Sequence, residues 1–78
     1  MTLREMQPGQ KARIEKVDAR QPGVVRLMVL GLIEGAEIQF ENAAIGGDPM
    51  EILVFGTAIS IRKQQAGYFS VSPLVSNG

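Results

Sequence analysis

Leu30-Gly31-Leu32-Ile33-Glu34-Gly35-Ala36-Glu37-Ile38 is the stretch that decides the fold. The residues before it carry the chain's one helical pattern. Those after it read as strand and turn. Gly31 is placed to end a helix in the left-handed conformation, which other residues reach at a cost of about 1–2 kcal/mol. Gly35 is placed to take the positive φ of a tight turn that starts a strand.

Outward on the N-terminal side, residues 24–30 predict a helix of about two turns, with Pro22 in its first turn. Val24, Leu27 and Met28 share one face, and Leu30 flanks it. Val25 and Val29 lie four apart on another face, and Arg26 is the only polar residue in the run. A helix apolar nearly all round has to be covered nearly all round. A domain of 78 residues buries only about 60% of its unfolded surface, so this surplus of apolar side chains points to a partner. Before the helix, residues 10–17 alternate as a half-buried strand. Ala12 and Ile14 face inward, and Val17 falls out of phase, which puts a bulge near Glu15-Lys16. Thr2-Leu3-Arg4-Glu5 fits a capping box on a short turn that Pro8-Gly9 must end. Leu3 and Met6 are expected to cover one end of the core.

On the C-terminal side, residues 36–42 alternate cleanly, with Ala36, Ile38 and Phe40 inward. Residues 43–49 form a loop whose Gly47-Asp48-Pro49 is a strong turn signal. Residues 50–55 predict a strand with both faces partly covered, with Phe55 in the core. Gly56-Thr57 turns the chain into a strand over 58–62, led inward by Ile59 and Ile61. Residues 63–67 make a polar turn or one turn of helix. Residues 68–71 form a last strand with Phe69 and Val71 inward. The expectation is one domain over 1–71, a small β-barrel of about five strands with one short helix inserted after the first strand, and a flexible tail over 72–78.

Lysine plus arginine equals aspartate plus glutamate at eight each, so the net charge is zero. The charges are nonetheless segregated. Residues 1–30 hold six positive and three negative side chains; residues 31–61 hold five negative and none positive. Pairing of the two blocks across neighbouring strands is the simplest expectation. Lys11, Arg13, Lys16 and Arg20 are the only basic grouping, too little to predict nucleic-acid binding. No apolar run approaches the roughly 20 residues of a membrane span, and the N-terminus has no secretory pattern. A cytoplasmic protein without direct membrane insertion is expected.

The chain contains neither His nor Cys. That removes the commonest general base, the usual nucleophile–base pairs and the usual transition-metal ligands, and the reading is of a protein that is not an enzyme and has no cofactor. Glu37 and Glu41 share a strand face but lie about 13 Å apart by strand rise. A weak metal sensor would draw on Glu34, Glu37, Asp48 or Glu51, with Asp48 and Glu51 able to approach each other around Pro49. Gly46-Gly47-Asp48 lacks the Lys-Ser/Thr and the helix of a phosphate loop.

Taken together, Arg26-Leu27, Leu30-Gly31-Leu32, Gly35, Gly47-Asp48-Pro49, and Ile59-Ser60-Ile61-Arg62-Lys63 followed by Ala66 resemble the ferrous iron transport protein A (FeoA) family over roughly residues 2–71. The resemblance implies an SH3-like barrel and an accessory role in bacterial ferrous iron uptake, through contact with the cytoplasmic side of the membrane transporter FeoB. FeoA-like domains also occur fused to iron-dependent repressors. The alternative it implies is therefore a free-standing module that self-associates or modulates a repressor. No catalytic residue is implied. Two departures stand out. Glu34 occupies a place where the family commonly has Pro, and the loop Ala43-Ala44-Ile45-Gly46 is one residue longer than the family's usual Ala-Pro-Leu. The expected partner-binding set is Arg26, Leu27, Met28, Leu30 and Leu32, with Gly31, Gly35, Gly47, Asp48 and Pro49 as structural turn residues.

Overall fold

The computed structural model describes residues 1–75. Five antiparallel strands form one sheet in the order β4-β3-β2-β1-β5, with β1 at Lys11–Val17, β2 at Glu37–Ala43, β3 at Met50–Val54, β4 at Thr57–Ile61 and β5 at Phe69–Pro73. The sheet curls around one core without closing, since among the described residues no ladder joins the edge strands β4 and β5. A single helical turn, α2 (Lys63–Ala66), connects those two strands and buries Ala66. The N-terminus lies along the outer edge of β5: Thr2 bridges Ser70, and the Val71 N–H donates to the Met1 carbonyl at 2.8 Å.

The alternation read from the sequence places the core. Ala12 and Ile14 of β1, Ile38 and Phe40 of β2, Ile59 and Ile61 of β4, and Phe69 and Val71 of β5 are buried. Leu3 and Met6 are buried with them, behind a short 3-10 turn at Leu3–Glu5. That turn makes the returning half of a capping box: the Glu5 carboxylate accepts the Thr2 N–H at 2.7 Å and the Thr2 hydroxyl at 3.1 Å. These bonds favour the charged form and lower the Glu5 pKa. The β1 register slips by one residue at Glu15, between Ile14↔Val71 and Lys16↔Ser70. A second slip, at Glu41 of β2 against β3, had no signal in the alternation.

The last strand continues through Pro73, two residues into the expected tail; Leu74 then donates its N–H to the Lys11 carbonyl at 2.9 Å. Val75 is exposed, and residues 76–78 of that tail lie outside the described residues. The charge blocks meet where β1 and β2 pair. Arg13 stands opposite Glu37 in register and bonds it at 3.1 Å. Both side chains are exposed, so the pair contributes about 0–1 kcal/mol.

The helix α1 spans Val24–Val29. Its N-cap is Gly23, so Pro22 precedes the helix instead of opening its first turn. At the other end the hinge makes a Schellman motif. The Gly31 N–H donates to the Met28 carbonyl at 3.0 Å, and the Leu32 N–H reaches the Leu27 carbonyl at 3.1 Å. Gly31 has φ +123° and Gly35 φ +86°. Gly35 then ties the hinge to β1, its N–H donating to the Ile14 carbonyl at 2.7 Å.

Candidate functional site

The Schellman motif sorts the hinge residues into two sets. Its hydrophobic contact joins the residue before the last turn to the one after the glycine, which here are Leu27 and Leu32. Both are buried, at 5% and 0% exposure. The expectation that Leu27 and Leu32 belong to a partner-binding surface is therefore corrected: they close the helix end onto the core. Met28 is half-buried against that core. Arg26 and Leu30 are exposed.

The outward face of the helix stays uncovered. Val25 is 58% exposed, Val29 82% and Leu30 50%; beyond Gly31, Ile33 is 42% exposed. Phe55, expected in the core, is instead 73% exposed. The reason is local. Val54 pairs with Thr57, so Phe55 and Gly56 form a two-residue hairpin loop with φ of +49° and +76°. Positive φ at both positions matches the twist of the flanking strands and throws the first side chain outward. A phenylalanine there pays a conformational cost that glycine, asparagine or aspartate largely avoids.

The Phe55 ring turns toward the hinge. A Cβ added at Gly31 would lie 3.1 Å from Phe55 Cδ2 and 3.5 Å from Val54 Cγ1. The hairpin tip and the helix end thus meet over Gly31, and Leu30, Ile33 and Phe55 gather around that glycine. Val29 and Val25 extend the apolar surface along the helix. Arg26 and Glu34 are the exposed charges nearest in sequence to it. A cleft of about 120 Å³ opens on the Leu30 side of the helix, lined by Gly23, Arg26, Leu27, Leu30, Ser60 and Gln65.

The loop carrying Gly47, Asp48 and Pro49 serves a different purpose. The Asp48 carboxylate accepts the Lys63 backbone N–H at 3.1 Å at the start of α2, and Arg62 Nη1 lies 4.0 Å from the same oxygen. The Asp48–Pro49 peptide is cis. Glu51 faces Ser60 and Asn42 in the ladders on either side of β3. Among the described residues, no three His, Cys, Asp or Glu side chains gather in a way that could hold a metal ion, and no helix is long and apolar enough to cross a membrane.

A family model described as the FeoA domain matches residues 1–73. A comparison with curated protein sequences found no match. Among solved structures, the FeoA protein of Chlorobium tepidum is 34% identical with a TM-score of 0.88, and the match covers 100% of this chain and 74% of that one. The FeoA of Stenotrophomonas maltophilia, solved in complex with zinc, is 28% identical with a TM-score of 0.79 over 92% of this chain and 89% of that one. It is described as a prokaryotic SH3 domain protein and suggested as a bacterial ferrous iron transport activating factor. IdeR of T. acidophilum is 26% identical with a TM-score of 0.80, over 94% of this chain and 33% of that one.

Proposed function

Starting from the fact that this chain belongs to the FeoA domain family, we propose that it is a cytoplasmic accessory protein of ferrous iron uptake that acts by binding the FeoB membrane transporter through the apolar surface around Gly31. Its work is contact and not chemistry. The observation that supports this reading is the exposure of Val25, Val29, Leu30 and Ile33 on the helix and hinge, with the exposed Phe55 ring brought against Gly31. Burying a side chain of this size is worth about 1.5–3 kcal/mol. Several together work against a cost of association of about 4–15 kcal/mol, so the contact needs most of this surface at once. Arg26 at the rim adds orientation more than affinity.

Co-purification of the detergent-solubilised transporter on immobilised protein tests the reading. Native protein retains the transporter, and Val29→Glu loses it while keeping its melting temperature. Retention by the Glu variant equal to native would place the contact elsewhere.

A second reading, a module that modulates an iron-dependent repressor, is favoured by one observation: the likeness of this chain to about one third of IdeR. The same surface would serve, with a repressor in place of the transporter.

A further inference from the structure

A cleft of about 220 Å³ opens between the N-terminal turn, the loop at Gly47 and α2, away in sequence from the apolar surface around Gly31. Its floor is apolar, made by Met6, Phe40 and Met50, all buried. Two cations, Arg4 and Lys63, line it. Lys63 is half-buried, and its ammonium leans over Gly47, where an added Cβ would lie 2.9 Å from Nζ. The glycine makes room for the ammonium.

Neither cation has a carboxylate partner among the described residues. The acidic groups nearest in the chain are committed elsewhere. Glu5 bonds the Thr2 N–H and hydroxyl. Asp48 bonds the backbone N–H of Lys63, and the charged group within ion-pair distance of it is Arg62. The cleft therefore joins an apolar floor to two unneutralised positive charges.

We propose that this cleft binds a small amphipathic carboxylate, with its apolar chain on Met6, Phe40 and Met50 and its head group between Arg4 and Lys63. Charge-assisted hydrogen bonds from an ammonium or guanidinium to a carboxylate are about twice as strong as neutral ones. Met6, Phe40 and Met50 are only 3%, 5% and 1% exposed, so the remainder comes from the ligand's own apolar chain leaving water. The volume lies below the roughly 300–1,000 Å³ of sites for drug-sized ligands, which sets the ligand at about ten non-hydrogen atoms. Neither an inorganic anion nor an uncharged alcohol uses both halves of the site.

An amide NMR titration of the full chain tests this with sodium hexanoate, 1-hexanol and sodium phosphate run in parallel. Hexanoate is expected to shift the amides of Met6, Ala43, Gly47 and Lys63 in a saturable way at about 1–10 mM, with hexanol and phosphate at least tenfold weaker. Arg4→Gln and Lys63→Gln should each weaken hexanoate about tenfold. The proposal fails if hexanoate gives no localised shifts by about 10 mM, if phosphate or hexanol matches it, or if both variants bind as the native chain does. Should a variant fail to fold, the three-probe comparison on the native chain decides alone.

Discussion

The ring of Phe55 lies against the backbone of Gly31, so that a Cβ there would come within 3.1 Å of Phe55 Cδ2. This contact joins the end of α1 to the tip of the β3–β4 hairpin, and the exposed apolar surface is assembled around it. Two residues with positive φ make it, one glycine and one phenylalanine.

Gly31→Ala meets two penalties, a left-handed backbone and the ring. The conformational part alone is about 1–2 kcal/mol. Urea unfolding should show a loss at or above that range. In a double-mutant cycle, adding Phe55→Ala should recover part of it by removing the ring from the new methyl group. Strict additivity of the two changes would show that the ring and the glycine are not coupled.

Gly35 isolates the backbone part. Its φ is +86°, but a Cβ there meets nothing within 4 Å. Gly35→Ala should cost about 1 kcal/mol through conformation alone, less than Gly31→Ala. An unchanged melting temperature would mean that the turn relaxes without strain.

Leu27 and Val29 separate core from surface on one helix. Leu27→Ala should destabilise by about 2–5 kcal/mol, since it empties a buried site under the Schellman contact. Val29→Gln should stay within about 0.5 kcal/mol of native, as exposed substitutions do. Chemical denaturation of the pair reads both. Equal stabilities would overturn the assignment of Leu27 to the core.

Asp18 provides the pH dependence. Hydrogen bonds from the Arg20 side chain, then from Gln21, hold its carboxyl down at about 2 from an ordinary 3.8. A folded-state pKa below the unfolded one gives stability that is present above the unfolded value and is lost as pH falls through the folded value. Native protein should therefore lose its advantage over Asp18→Asn between pH 3.8 and about 2. Melting temperatures of the two across that window check it; parallel curves would remove Asp18 from the acid response.

Much of this architecture is legible in the chain. The alternation of Ala12/Ile14, Ile38/Phe40 and Ile59/Ile61 dictates inward faces because the side-chain period of a strand is two. The surplus of apolar residues on α1 announces an uncovered face through Val25 and Val29. Phe55 is misread because it continues an apolar run, and in composition a strand end and a hairpin loop look alike. The signal was the single Gly56, since a two-residue loop needs positive φ at both central positions and draws the residue before the glycine out of the strand. Leu32 is misread for the same kind of reason. Its burial follows from the hydrophobic contact across Gly31, which is set by the helix terminus and not by any periodicity. The cleft between Arg4 and Lys63 joins residues far apart in sequence and has no local pattern.

The binding surface is probed most directly by the affinity of the purified transporter for Phe55→Ser, measured beside an Ile45→Ser control. Ile45 is also an exposed apolar residue, but it lies in the 43–49 loop and not on the helix, hinge or hairpin tip. Phe55→Ser should bind at least tenfold more weakly, about 1.4 kcal/mol, without a lower melting temperature, and Ile45→Ser should bind as native does. Native-like affinity in Phe55→Ser, or an equal loss in both variants, would show that the surface around Gly31 is not where the partner docks.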